Sequence, residues 1–484
     1  MLALIMTAGR LSANSQAAGT ASNTGRKLFR LDGGDVTYAM GANARGELQT
    51  VYWGRRLATS DPLPTHVPVT YADEINDTEQ EFPGWGGGVL DEPALKIMYA
   101  DGNRIGVKRF VRDDGWFGQR KNDRAGLGDW YVNLQKFPHG LESLIAKVHS
   151  LEMDFGLWVE PEMVNPDSDL YRRHPDWVIN FRSRPRTEER NQLVLNLARP
   201  EVREYVYSVA NRLLSENQIA FLKWDLNRPW AEPGRPEVAS DEEKEIYVIY
   251  TCNYYSILAE LRQKHPGVEI ESCSGGGRVD LGVLHCVDEV WTSDNTDPFD
   301  RLSIQDGFAD AYTPGVMMAW MTDSPNWVNH RGTSLPYRFL SSMEGSLGIG
   351  ANLNKWTSED FTTAKEMIVA YKPIRGVVQH GLLYRLISPQ SNGELATTES
   401  VAPERSLAVV FEFLHSQQMR YPAPMVFPEG LNQSATYTVR PLYGHLTGNA
   451  SAKASGAFWM GRGINADLQS DYDAAAFVFE RSKQ

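Results

Sequence analysis

The sequence predicts an α/β protein centred on a (β/α)8-type TIM barrel, with a short β region before it and a β-sandwich after it. Three observations predict this. From Phe110 to about Gly381, helix-patterned stretches alternate with short apolar runs, the signature of repeated βα units. On both sides of that region the pattern is strand-like, with runs separated by Gly- and polar-rich turns. Within the middle region nearly every apolar run ends in carboxylates or other functional side chains, which a parallel barrel gathers at one mouth.

Residues 1–26 are expected to be disordered. Their short apolar run has no basic residue before it and is too brief for a secretory leader. Residues 27–109 read as a small β region, with KLFRL before Asp32-Gly33-Gly34 and VTYAM after it. The barrel is placed at 110–392. FVRDD opens it as a strand, and Leu141, Leu144, Ile145 and Val148 then share a helix face ahead of the strand FGLWVE. Pro200 opens the next helix, where its missing N–H costs nothing, and Val202, Tyr205, Val206, Val209 and Leu213 form the apolar stripe. FLKWD follows as a strand, IYVIYTCNYYSILAEL as a helix, then VEIESCS and EVWTSDN as strands. RLSIQDGFADAY reads as a helix, and GVMMAW and GSLGIGANL complete a count of seven strands, where such a barrel closes with eight. In 393–484, LAVVFEF, ATYTVR and AAFVFE read as the strands of a β-sandwich.

A net charge of −13 repels nucleic acid and acidic membranes, so a neutral substrate fits better. No stretch approaches the ~20 apolar residues that span a bilayer. Cys252, Cys273 and Cys286 are odd in number and lack metal-ligand spacing, which suggests a reducing compartment, the cytoplasm, and leaves secretion open. The ten histidines contain no HxH or HExxH pair, and GWGGG and SGGGR lack phosphate-loop endings, so neither a metal nor a cofactor is inferred.

The chemistry is sought in RDDGW, VEPE, KWDLN, ESCS and TSDN. Taken singly, each has a plain structural reading, since Asp commonly caps helices and fills solvated turns. Together they bring carboxylates to one mouth beside Trp116, Trp158 and Trp224, and aromatic faces next to carboxylates suit a sugar ring. Glycoside hydrolysis needs two carboxyl groups, one attacking or activating water and one kept protonated for the leaving oxygen. Asp225 and Asp294 are the candidates. Lys223, two residues from Asp225 and on the same strand face, favours an ionised nucleophile. Asp294 follows an apolar strand near Trp291 and other carboxylates, surroundings that favour a protonated acid.

The series DDGWFG, LGDW, FGLWVEPEMVNPDSDLYRRHPDW, RNQLVLNL, KWDLNR, ESCSGGGRVDLG and WTSDNTDPFDRL resembles the family 36 α-galactosidases from about Val111 through the last β region. The resemblance implies hydrolysis of terminal α-galactosyl groups of oligosaccharides with retention, Asp225 forming the galactosyl-enzyme and Asp294 acting as acid/base. It implies that Asp113 and Asp114 grip the axial O4 and the O6 of galactose, with Trp158, Arg190, Lys223, Asn227, Cys273 and Gly276 completing the pocket. A homo-oligomer held by amino-terminal contacts also fits it. In that family a β-sandwich and a strand bearing an Asn-Asn-Trp motif precede DDGW. Here GVKRFVRDDGW joins a β segment directly to it, so the barrel is expected to lack its first strand, with a truncated β region before it. The alternative is an inactive or weakly active sugar-binding remnant.

Overall fold

The computed structural model describes residues 28–33, 36–42, 48–58, 60–61, 106–274, 280–391, 394–417, 423–447 and 452–482. The expectation for residues 1–26, and the strand-like runs between 62 and 97, lie outside these. The chain divides into two compact units, Met1–Gly88 and Val89–Gln484. In the first, β1 (Leu28–Gly33), β2 (Val36–Ala42) and β3 (Leu48–Arg55) form an antiparallel meander, as the turn at Asp32-Gly33 predicts.

The second unit opens with β4 (Arg109–Arg112), α1 (Glu142–His149) and β5 (Asp154–Val159). The short strands β6 (Met163–Val164) and β7 (Leu193–Val194) pair with each other around α2 (Asp169–Arg173). Then come α3 (Pro200–Glu216), β8 (Phe221–Trp224), α4 (Ile246–Lys264), β9 (Glu269–Ser272) and β10 (Glu289–Trp291). The run ends with α5 (Asp300–Phe308), β11 (Met317–Met321), α6 (Leu335–Ser342), β12 (Ser346–Ile349) and α7 (Ser358–His380). The helices form where the apolar spacing places them. In α3, Val202, Val206, Val209 and Leu213 are buried, and full burial of such side chains contributes about 1.5–3 kcal/mol each.

The seven barrel strands make one parallel sheet in the order β12-β11-β10-β9-β8-β5-β4, a curled half-barrel. Among the described residues no strand pairs with the outer edges of β4 and β12. A cavity of about 820 Å³ lies between them, lined by Val111 and Phe110 from β4 and Leu347 and Ile349 from β12, with Glu271 and Tyr371 facing it.

The register aligns the functional ends. Val159 lies opposite Trp224, and Trp224 opposite Ser272, so Glu160, Asp225 and Cys273 emerge side by side. The ladder continues through them, with Asp225 N–H donating to Val159 O and Cys273 N–H to Trp224 O, both at 2.8 Å.

The carboxyl-terminal region holds β13 (Leu382–Ile387), β14 (Leu395–Val401), β15 (Leu407–Leu414), β16 (Thr436–Tyr443), β17 (Lys453–Ser455), α8 (Gly456–Arg462) and β18 (Asp473–Arg481). Where two facing sheets were expected, the described strands form one antiparallel sheet, β13-β14-β15-β18-β16-β17. LAVVFEF is apolar on both faces because both are covered. Val409, Phe411, Phe413, Ala474, Ala476 and Val478 share a core with residues of α6 and α7. Ala408, Val410, Phe477 and Phe479 face the other way, against Tyr437 and Trp459. A half-exposed sheet would show alternation, whereas a sheet buried on both faces does not.

Candidate active site

β8 carries the centre of the site. Strand alternation sends Lys223 and Asp225 to the inner face and Trp224 to the outer one. Trp224 is therefore a core residue, its indole N–H donating to Glu162 at 2.7 Å and its ring beside Tyr254. Trp116 is equally enclosed, packed on Phe117 and Trp130 and donating to Trp158 O. Of the three tryptophans expected at the mouth, only Trp158 meets a catalytic candidate.

Asp225 is buried and its carboxylate is held by three donors. Trp158 Nε1 and Asn227 Nδ2 donate to Oδ2 at 2.9 and 2.8 Å, and Leu226 N–H donates to Oδ1 at 2.9 Å. The expected pairing with Lys223 is not the direct one. Lys223 Nζ sits 3.4 Å from Asp113 Oδ2 and 3.7 Å above the Trp291 ring, and its ammonium is held well above its ordinary range despite burial, Asp113 being the strongest favourable charge. Its field still reaches Asp225.

Asp294 lies beyond β10, its carboxyl pushed up to about 6 by burial first and by the Asp225 charge second. Trp291 acts against that shift, because its indole N–H donates to Asp294 Oδ1 at 2.8 Å and favours the ionised form. The sequence reading had Trp291 raising the carboxyl by desolvation, whereas its hydrogen bond lowers it.

Asp113 and Asp114 follow β4. Asp113 Oδ1 accepts from the Asp114 N–H, while Asp114 is gripped in bidentate fashion by Arg120, with Nη2 at 2.8 Å. Cys273 is buried against Trp291 and Trp320, and burial and the Asp225 charge keep its thiol protonated. Arg190 belongs to a loop where it and Asn191 have left-handed φ of 49° and 57°, and its charge acts on both Glu160 and Asp294. Gly276 lies outside the described residues.

Sequence reasoning missed three participants. Glu160, at the end of β5, accepts from the Asn227 N–H and meets the Gln192 amide at 3.3 Å, and burial and the Asp225 charge push it up to about 8. The VEPE run was the signal for it. Glu271, beneath the site, is also pushed up to about 8, chiefly by burial. Arg301 carried no signal, since an arginine in a polar helix start reads as solvated. The arrangement thus offers an anchored carboxylate, a protonatable carboxyl whose field it shares, and further polar groups for a small neutral ligand.

Comparison with known proteins gives the family of the chain. Residues 87–381 match the melibiase family profile, and residues 395–479 the glycosyl hydrolase family 36 C-terminal domain. Alpha-galactosidase AgaA of Geobacillus stearothermophilus is 39% identical over 339 residues, 70% of this chain and 46% of that protein. Alpha-galactosidase C of Emericella nidulans is 37% identical over 412 residues, 82% of this chain and 52% of that protein. The crystal structure of the GH36 alpha-galactosidase AgaB of G. stearothermophilus superposes with a TM-score of 0.74 at 36% identity, covering 78% of this chain and 51% of that one. A variant of AgaA solved in complex with raffinose gives 0.74 at 35% identity, covering 78% and 52%. The chain spans about half the length of the curated relatives it matches. With a profile match over more than half its residues, this chain belongs to the family 36 glycoside hydrolases.

Proposed function

We propose that this protein is a retaining α-galactosidase acting on terminal α-galactosyl groups of oligosaccharides, with Asp225 as nucleophile and Asp294 as acid/base. The observation that carries the reading is the asymmetry between a buried carboxyl, Asp225, and a half-buried one, Asp294, that share a field. Asp225 receives three hydrogen bonds suited to an anion, while Asp294 is raised to about 6 in part by that anion. Asp225 attacks the anomeric carbon as Asp294 gives its proton to the departing glycosidic oxygen. The resulting ester is neutral, so the field that kept Asp294 protonated is gone and its carboxylate takes a proton from the attacking water. That water displaces Asp225 and leaves galactose with its original anomeric configuration.

Asp113 and Asp114 are assigned to O4 and O6, with Arg190, Lys223, Asn227, Trp158, Cys273 and Gly276 around the ring. An equatorial O4 leaves these acceptors without their sugar hydroxyls once the bound ring covers them, at roughly 1–3 kcal/mol each, which rejects glucosides. Arg120 pre-orients Asp114 for this role. The open seam between β4 and β12 is read as the place of a missing first strand, with domains at 27–109, 110–392 and 393–484. The free cysteines Cys252, Cys273 and Cys286 suit the cytoplasm. No described helix is long and apolar enough to cross a membrane.

The test is hydrolysis of an aryl α-galactoside by the purified chain, with the first-formed anomer read by NMR. Release of α-galactose supports the reading. Release of β-galactose overturns the mechanism, and binding of galactose without turnover favours the sugar-binding remnant.

A further inference from the structure

Arg301 stands in the first turn of α5 with its side chain fully buried. Its four hydrogen bonds all go to uncharged oxygens. Nη1 donates to Ser293 O at 3.3 Å and Asn295 O at 3.0 Å, and Nη2 to Thr292 Oγ1 at 3.2 Å and Met318 O at 3.3 Å. Thr292, Ser293 and Asn295 bracket Asp294, and Met318 ties the loop to β11. The guanidinium also lies over the Trp320 ring, 5.7 Å from its centroid.

A buried cation without a directly paired anion is costly, and an apolar side chain of similar length is ordinarily the more stable choice there. Burial lowers this guanidinium to about 9, and Asp294 is the carboxylate whose field opposes that loss. Arginine suits the place because its planar fork bridges several oxygens at once, which a lysine ammonium on a flexible stem does not.

We propose that Arg301 is a positioning residue for Asp294, fixing the 292–295 loop so that the carboxyl faces the glycosidic oxygen and stabilising the carboxylate left after proton transfer. It touches neither substrate nor reacting atoms. The proposal rests on the reading of Asp294 as the acid/base.

The test compares kcat/KM on two substrates that differ in their need for a proton. The sucrose released from raffinose is a poor alkoxide leaving group and needs the acid, whereas the phenolate of 2,4-dinitrophenyl α-galactoside departs unaided. Removing effective acid assistance should cost Arg301→Met about 10²-fold on raffinose and no more than about threefold on the dinitrophenyl substrate. Arg301→Lys, which keeps the charge but not the bridging geometry, should fall between Arg301→Met and the unaltered protein on raffinose. Azide should accelerate dinitrophenyl turnover by Arg301→Met, because it forms a C1–N bond as the C1–O bond to Asp225 breaks and needs no base. Equal losses on both substrates, or none, would overturn the proposal. If Arg301→Met does not fold, the same selectivity in Arg301→Lys decides. Asp294→Ala is the reference. If it loses both substrates equally, the acid/base reading falls and this proposal with it; if it is selective and the Arg301 variants are not, only the role of Arg301 is lost.

Discussion

Raising the pH through 6 should switch off the first chemical step while sparing the second. Asp294 titrates at about 6 in the free protein, so with proton-requiring substrates the alkaline limb of kcat/KM should be level below that value and fall above it. Each further pH unit then removes about nine-tenths of the protonated form, so kcat/KM at pH 8 should be about a hundredth of the plateau. The two main causes of the raised value behave differently during turnover. Burial persists, but the Asp225 charge vanishes once the galactosyl ester forms. Asp294 therefore titrates lower in the intermediate, and water attack, which needs its carboxylate, does not decline with pH. When hydrolysis of the intermediate is made rate-limiting with a good leaving group, kcat should lose the alkaline limb. The assay is a pair of pH profiles, raffinose for kcat/KM and dinitrophenyl α-galactoside for kcat. An alkaline limb of equal position in both, or none between pH 5 and 8 with raffinose, would refute the assignment.

Three further outcomes follow from the same geometry. Asp225→Asn should abolish turnover with the fold intact, since an amide keeps the volume but forms no glycosyl ester; added azide should restore a galactosyl azide of inverted configuration, and full activity without azide would remove Asp225 from the mechanism. In a structure with bound galactoside, the Asp225 and Asp294 carboxyls should stand about 5–5.5 Å apart, and a gap of ~6.5–9.5 Å would indicate inversion. Glu412 lies fully buried in β15, where the Ala466 N–H is the contact that favours its ionised form, and burial pushes it up from 4.5 to about 8. Its folded pKa exceeds its unfolded one, so its full contribution to stability is present below about 4.5 and is lost as pH rises toward 8, an effect of the order of 5 kcal/mol. Thermal unfolding should show Glu412→Gln gaining on the parent as pH climbs from 5 to 8; a pH-independent difference in Tm would show that Glu412 does not titrate this way.

The barrel strands were legible because their ends are written twice, once as apolar runs and once as the carboxylates that follow. FLKWD shows both, and its alternation alone places Lys223 and Asp225 inward. The same alternation sends Trp224 outward, so the indole expected beside the sugar is a core residue. The partner of Lys223 was not legible. Asp113 is 110 residues away in sequence, and only the pairing of β4 with β5, and β5 with β8, brings them together. Arg301 and Arg120 were illegible for a related reason, since a buried arginine is recognised by the oxygens around it and those come from other segments. The carboxyl-terminal strands were found but their layering was not, because an apolar run on both faces reads the same whether its cover is a second sheet or a pair of helices.

That cover has a bearing on how the protein can be cut and joined. Composition marks a border near residue 393, yet cohesion ignores it, for Phe411 and Val478 on one side rest on α6 and α7 from the other. A fragment ending at 392 would leave those helices with a wet, greasy flank, and a fragment beginning there would carry the matching one. Anyone grafting this catalytic half onto another protein, or borrowing the tail as a tag, would have to carry both halves of the joint or redesign the surface between them. The smallest portable piece is set by that shared wall and not by the punctuation of the sequence.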